Sequence, residues 1–144
     1  MNIQFNDVIV NGGAKGFAND IKVRGHRLMA DESLEVGGTD KGPSPYDFLL
    51  VALGSCTSIT LRMYADRKNW PLQGITVRLR HFKIYVEDCA NCETKQGQID
   101  RIEREIILEG NLSEEQRRRL LEIANRCPVH RTLQSEIDIQ TLLE

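Results

Sequence analysis

No charge of one sign dominates this 144-residue chain: 19 basic residues stand against 21 acidic ones, a formal net charge of −2. A balance so close to neutral provides no global attraction to nucleic acid or to an anionic membrane. Long hydrophobic runs are missing too. The longest, Phe48 to Cys56, falls well short of the roughly 20 residues a membrane-spanning helix needs. Met1–Val10 shows no basic flank followed by an apolar core, so no secretory signal is expected and the cytoplasm is the expected location. Gly37-Gly38 and Gly42 lack the downstream Lys-Ser/Thr of a phosphate-binding loop, and Ser55 lacks the flanking glycines of a nucleophile elbow. Neither internal repeats nor low-complexity linkers occur. Residues 1–144 are expected to form one domain, large enough to bury roughly 70% of its unfolded surface without disulfide staples.

What is there reads as an α+β domain. Ile3, Phe5 and Val8 to Val10 suggest a first strand that ends at the turn Asn11-Gly12-Gly13. Strands over Phe17 to Val23 and His26 to Ala30 follow, with Gly25 at the turn between them. The breaker-rich loop Gly37 to Pro45 then delivers a helix from Tyr46 to about Arg67. Ser44 is its N-cap, Pro45 suits the first helical position, and Asp47 complements the positive helix end. The first half of this helix is apolar nearly all round, so it should be buried. Spacings of three and four place Leu49, Ala52, Leu53, Cys56, Ile59, Thr60 and Met63 on one face. Gly54 beside Ala52 and Ser55 suggests that another backbone packs closely there. After Pro71, Ile75, Val77 and Leu79 alternate with Thr76, Arg78 and Arg80, the mark of a strand with one solvated face. Ile99, Ile102, Ile106 and Leu108 form the returning strand of a long antiparallel ribbon, its alternation imperfect near Arg104. Ser113-Glu114-Glu115-Gln116 is a capping-box pattern that opens a second helix. Pro128 disfavours helical geometry at Cys127, so Cys127 can cap a new short helix. Ile137, Ile139 and Leu142 fit a closing strand and tail.

Four cysteines are the candidate chemistry. Cys56 sits mid-helix in apolar surroundings, and Cys127 opens Cys127-Pro128-Val129-His130-Arg131. Either one alone reads most simply as a packed core thiol. Two on separate helices suggest a dithiol that exchanges electrons with a substrate, provided the sulfurs meet in space. Attack on a peroxide or disulfide requires the thiolate. A helix start with His130 or Arg131 could stabilise the Cys127 anion. Cys56 needs a cation from elsewhere in the fold, and Arg24 or Arg27 could reach it. Cys89 and Cys92 form a CxxC in a polar loop. They supply half a zinc site, an exposed labile disulfide, or merely two loop cysteines. His26, His81 and His130 are too scattered to define a metal site.

Gly42-Pro43-Ser44-Pro45-Tyr46-Asp47-Phe48-Leu49-Leu50, Ala52-Leu53-Gly54-Ser55-Cys56 and Cys127-Pro128-Val129-His130-Arg131-Thr132-Leu133 together resemble the OsmC/Ohr family of thiol-dependent hydroperoxide reductases. Thr60 to Ala65 and Cys89 to Cys92 look more like its YhfA-like branch. The resemblance implies an OsmC-like fold, with antiparallel sheets around a buried central helix in an intertwined homodimer. It implies that Cys56 is the peroxidatic cysteine and Cys127 the resolving one. It also implies an arginine of the early strands, for which Arg24 is the candidate, that holds the thiolate and polarises the peroxide. Organic hydroperoxides are the implied substrates and an external dithiol or lipoyl group the reductant, with no bound cofactor or metal. One departure stands out: the family's peroxidases usually carry a glutamate after the helix-opening proline, where this chain has Tyr46. Asp47 comes one residue later, a rotation of about 100°, and Asp31 or Glu32 are other potential substitutes. A redox-responsive or small-molecule-binding dimer without turnover is the alternative expectation.

Overall fold

The computed structural model describes residues 6–144, so the expected strand positions Ile3 and Phe5 lie outside the described residues. Two compact units divide the chain, Met1–Leu49 and Leu50–Glu144.

The first unit is a three-stranded antiparallel meander: β1 (Val8–Gly12), β2 (Asn19–Val23) and β3 (His26–Ala30), in that order. The register pairs Val10 with Ile21 and Ile21 with Leu28. Strand β2 starts two residues later than the Phe17 that the apolar pattern suggests. Arg24 and Gly25 form the β2–β3 turn, with Arg24 in the left-handed region at φ 54°. The loop after β3 is organised by one buried carboxylate. Asp31, 1% exposed, accepts from the Glu32 N–H at 2.7 Å and the Thr39 hydroxyl at 2.6 Å. It also accepts from the N–H groups of Thr39 and Lys41. The loop closes so tightly that a Cβ at Gly38 or Gly42 would collide with the backbone of Glu32 or Met29. The Thr39 hydroxyl bond, with the backbone donors, lowers the Asp31 pKa from 3.8 to about 2. Its contribution to folding is therefore present above the unfolded value near 3.8 and is lost as pH falls towards 2.

Helix α1 (Pro45–Lys68) begins in this unit and continues through the second. Its start is closed reciprocally: the Asp47 N–H donates to Ser44 Oγ at 3.2 Å and the Ser44 N–H to Asp47 Oδ2 at 3.0 Å. The sequence anticipates Ser44 as cap, and the structure adds Asp47 as the other half of the box.

In the second unit β4 (Gly74–Tyr85) and β5 (Gln98–Glu109) make the long ribbon, paired from Gly74–Glu109 to Tyr85–Gln98. Ile75, Val77 and Leu79 are half-buried on one face while Thr76, Arg78 and Arg80 are exposed on the other. Helices α2 (Glu114–Ala124) and α3 (Pro128–Leu133) follow. The Ser113–Gln116 capping box at the start of α2 is complete, as its sequence pattern indicates. The core gathers Leu61, Tyr64 and Ala65 of α1 with Leu72, Leu112, Leu120, Ile123 and Ala124.

The buried face of α1 differs from the one its spacings suggest. Leu53, Thr57, Leu61, Tyr64 and Ala65 point inward, whereas Ile59 and Met63 are 59% and 68% exposed. An almost uniformly apolar first half carries little information about facing, so the neighbouring elements choose the face. The close neighbour of Gly54 is likewise a side chain rather than a backbone: a Cβ there would lie 2.7 Å from Leu79 Cδ1. The closing strand at Ile137, Ile139 and Leu142 does not form. Residues 136–144 carry no secondary structure, and Ile139 and Leu142 are 82% and 94% exposed. A strand exists only by pairing, and no other strand of the described chain pairs with this segment. By length and composition alone α1 could span a bilayer; in this fold Leu61, Tyr64 and Ala65 of its second half belong to the core, whereas Val51 of the first half is exposed.

Leu120 is fully buried and its neighbour Leu121 is 58% exposed. Leu120→Ala is expected to cost about 2–5 kcal/mol in urea unfolding and Leu121→Ala about 0.5 kcal/mol or less; similar losses would contradict the assigned face. In the same assay, Asp31→Asn is expected to flatten the loss of stability that the wild type shows between about pH 4 and pH 2. An unchanged acid limb would remove Asp31 as its source.

Candidate thiol site

Cys127 is completely buried. The turn Asn125-Arg126 ends α2, and Pro128 at the first position of α3 holds Cys127 in extended geometry, φ −62° and ψ 141°. There it caps the short helix as the sequence suggests: its Sγ accepts from the His130 N–H at 3.4 Å. The same sulfur lies 3.8 Å from Thr57 Oγ1. Thr57 follows Cys56 on α1, so the fold brings Cys127 against the residue adjoining the other thiol. Cys56 is half-buried, and both cysteines are free.

Arg104 joins these parts. The β4–β5 register places it opposite Leu79, on the face that otherwise carries Ile102, Ile106 and Leu108. Its Nη1 donates to Thr57 Oγ1 at 2.9 Å, and its Nη2 donates to Asn125 Oδ1 at 2.9 Å and His130 Nδ1 at 3.1 Å. One guanidinium therefore ties β5 to α1, to the end of α2 and to α3. The protons in this network have few places to go. The Thr57 hydroxyl donates to Leu53 O at 2.7 Å and accepts from Arg104, which leaves one lone pair to receive the Cys127 S–H. His130 must present an unprotonated Nδ1 to Arg104 and carry its proton on Nε2. Partial burial, with the Arg104 charge second, lowers the His130 pKa below 6.5 and favours this neutral form. Arg104 is half-buried, so the network keeps some exposure to solvent.

A model for the OsmC-like protein family matches residues 38–142. The chain belongs to the OsmC-like family. The fold agrees with solved structures at low sequence identity. An OsmC-like protein from Mycoplasma pneumoniae superposes with a TM-score of 0.71 at 18% identity, covering 91% of this chain and 88% of that one. An organic hydroperoxide resistance protein OsmC from Legionella pneumophila gives 0.67 at 16%, covering 96% and 95%. The organic hydroperoxide resistance protein OhrB of Bacillus subtilis gives 0.62 at 16%, covering 94% of each. No curated protein sequence matches this chain significantly.

Other residues singled out by sequence lie as follows. Arg24 is exposed in the β2–β3 turn of the first unit. Arg131 is exposed. The Asp31 oxygens serve the loop and Asp47 Oδ2 serves the helix cap, so two of the three candidate carboxylates are already engaged locally; the third, Glu32, is half-buried in the same loop. Cys89 and Cys92 are joined as a disulfide, and no metal-binding cluster of three His, Cys, Asp or Glu occurs among the described residues. Arg104 is the site residue that sequence reasoning missed. The break in alternation at its position was the available signal: it is a cation in an apolar row.

If Arg104 secures Cys127, Arg104→Gln should raise the native-state alkylation rate of Cys127 by roughly five- to tenfold, the loss of about one net hydrogen bond. An unchanged rate would mean that packing alone holds the thiol. The His130 contribution to stability is present above pH 6.5 and is lost as pH falls through its lower folded value. Between about pH 7.5 and pH 5 the wild type should therefore lose stability that a His130→Gln chain does not lose; equal slopes would argue against the neutral imidazole.

Proposed function

We propose that this OsmC-like chain reduces organic hydroperoxides through a Cys56/Cys127 dithiol. The observation that carries the reading is the contact of Cys127 Sγ with Thr57, 3.8 Å away and adjacent to Cys56, with both thiols free. In the proposed cycle the Cys56 thiolate attacks the distal peroxide oxygen and the O–O bond breaks. The alkoxide takes a proton and leaves as the alcohol, and Cys56 becomes a sulfenic acid. The Cys127 thiol then displaces water from that sulfenic acid and forms the disulfide. An external dithiol, a lipoyl group among the candidates, restores two thiols and leaves as its own disulfide. Arg24 is the candidate, by family resemblance, for the cation that steadies the Cys56 thiolate. Arg104 is a positioning residue for Cys127.

A homodimer completes this reading. Val51, Ile59 and Met63 leave an apolar stripe of α1 more than half exposed in the single chain, a surface that favours cover by a second copy. Cytoplasmic residence follows from the same proposal, because a dithiol reductant must be supplied continuously.

Tyr46 supports a second reading. It stands where the family's peroxidases carry a glutamate, and Asp31 and Asp47 are engaged elsewhere. A dimer so equipped would oxidise once and signal or bind without turning over.

Mass spectrometry after a substoichiometric dose of cumene hydroperoxide is expected to find a Cys56–Cys127 disulfide, and Cys127→Ser to stop at the Cys56 sulfenic acid. Both thiols remaining free would refute the dithiol. Continuous peroxide consumption with dihydrolipoamide supports the enzyme; one equivalent consumed, followed by arrest, supports the second reading.

A further inference from the structure

Cys89 and Cys92 lie at the far end of the β4–β5 ribbon and take no part in the network around Cys127. We propose that they are a second thiol–disulfide exchange centre, whose reaction partner is a dithiol, separate from Cys56 and Cys127.

Position separates the two centres. Arg104, which marks the level of Cys127 on the ribbon, is paired with Leu79, and the last ribbon pair is Tyr85–Gln98. Six residues of strand advance about 20 Å, and Cys89 lies beyond that end. An arginine side chain recovers only part of this length, so the span exceeds the roughly 7 Å between Cα atoms that a direct disulfide tolerates. Within one chain, the loop cysteines cannot resolve Cys56 or replace Cys127.

A structural role explains the bond poorly. Disulfide stabilisation by loop closure grows with ring size, and Cys89 and Cys92 are only three positions apart, at the bottom of that scale. The ribbon end is also closed without it. The Val86 N–H donates to Gly97 O at 2.9 Å, the Cys89 N–H to Val86 O at 3.1 Å, and Arg101 Nη2 to Asp88 O at 3.5 Å. None of these three bonds uses a sulfur atom.

Access fits exchange instead. Both cysteines are partly exposed, and the residues between and after them, Ala90, Asn91 and Glu93, are at least partly exposed too. An incoming thiolate can therefore approach the bridge without unfolding the ribbon. The spacing of two intervening residues lets each sulfur serve as leaving group and resolving thiol for the other. One thiolate of the dithiol attacks one sulfur of the bridge, forming a mixed disulfide and releasing the other cysteine as a thiolate that takes up a proton. The second thiol of the partner then loses its proton and displaces the attached cysteine. Two electrons and two protons pass to the protein, leaving Cys89 and Cys92 as thiols and the partner as a disulfide. The reverse sequence reoxidises the pair.

The test uses the full chain with Cys56→Ser and Cys127→Ser, so that only the loop pair reports. It is equilibrated with equal concentrations of reduced and oxidised dithiothreitol, trapped with an alkylating reagent and mapped by mass spectrometry. The expected result is a dithiol form exceeding the disulfide by about tenfold or more, with unchanged circular dichroism and full return of the bridge on transfer to excess oxidised glutathione. A predominant disulfide, or reduction only when the chain unfolds, would overturn the proposal and leave a structural clip. So would labelling of both cysteines before any dithiol is added. If the double variant does not fold, peptide mapping of Cys89 and Cys92 in the wild-type chain decides between the same outcomes. None of these outcomes depends on peroxidase activity, so this proposal and the Cys56/Cys127 dithiol can fail separately.

Discussion

A guanidinium on the apolar face of a β-ribbon is the constraint around which this thiol site is arranged. A half-buried guanidinium is costly unless its donors are matched by acceptors. Its three acceptors come from three elements: Thr57 from α1, Asn125 from the end of α2, and His130 from α3. Satisfying one side chain therefore fixes the angle at which the α2–α3 joint meets α1. Cys127 sits at that joint, and its seat against Thr57 follows from the arrangement.

The same constraint imposes a chemical state on its neighbours. Thr57 spends its proton on Leu53 O and its lone pairs on Arg104 and Cys127. His130 must stay neutral to accept from Arg104, and its reluctance to protonate agrees with that. The two thiols thus differ by construction: one sits in a fully assigned hydrogen-bond network, and the other is on an adjacent, more open helix position. A cysteine pair with one accessible and one sequestered member suits stepwise oxidation and resolution. The Cys89–Cys92 bridge is partly exposed and lies outside the Arg104 network, which favours exchange over stapling.

Much of this was legible in the sequence because local chemistry dictates it. The caps at Ser44 and Ser113, the extended Cys127 before Pro128, and the solvated face of the ribbon each follow from a few adjacent residues, and the coordinates agree. The failures share one cause: each depended on a distant partner. The face of α1 could not be read because Val51, Ile59 and Met63 are as apolar as Leu53 and Leu61, so only packing discriminates. The tail at Ile137 and Ile139 has strand composition but no edge to pair with in this chain. Arg104 was visible as a flaw in alternation, yet its three acceptors are 21 to 47 positions away in sequence. Spacing could mark it as unusual without saying why.

The arrangement can be tested where it is most specific, at the His130 imidazole. Nitrogen-15 NMR of the reduced protein near pH 7.5 distinguishes the two neutral tautomers and the imidazolium. A network centred on Arg104 predicts a neutral ring with Nε2 protonated and Nδ1 bare, reverting to a mixture in Arg104→Gln. A proton on Nδ1 in the wild-type chain would contradict it, because Arg104 would then face a donor and the network that seats Cys127 against Thr57 would be broken.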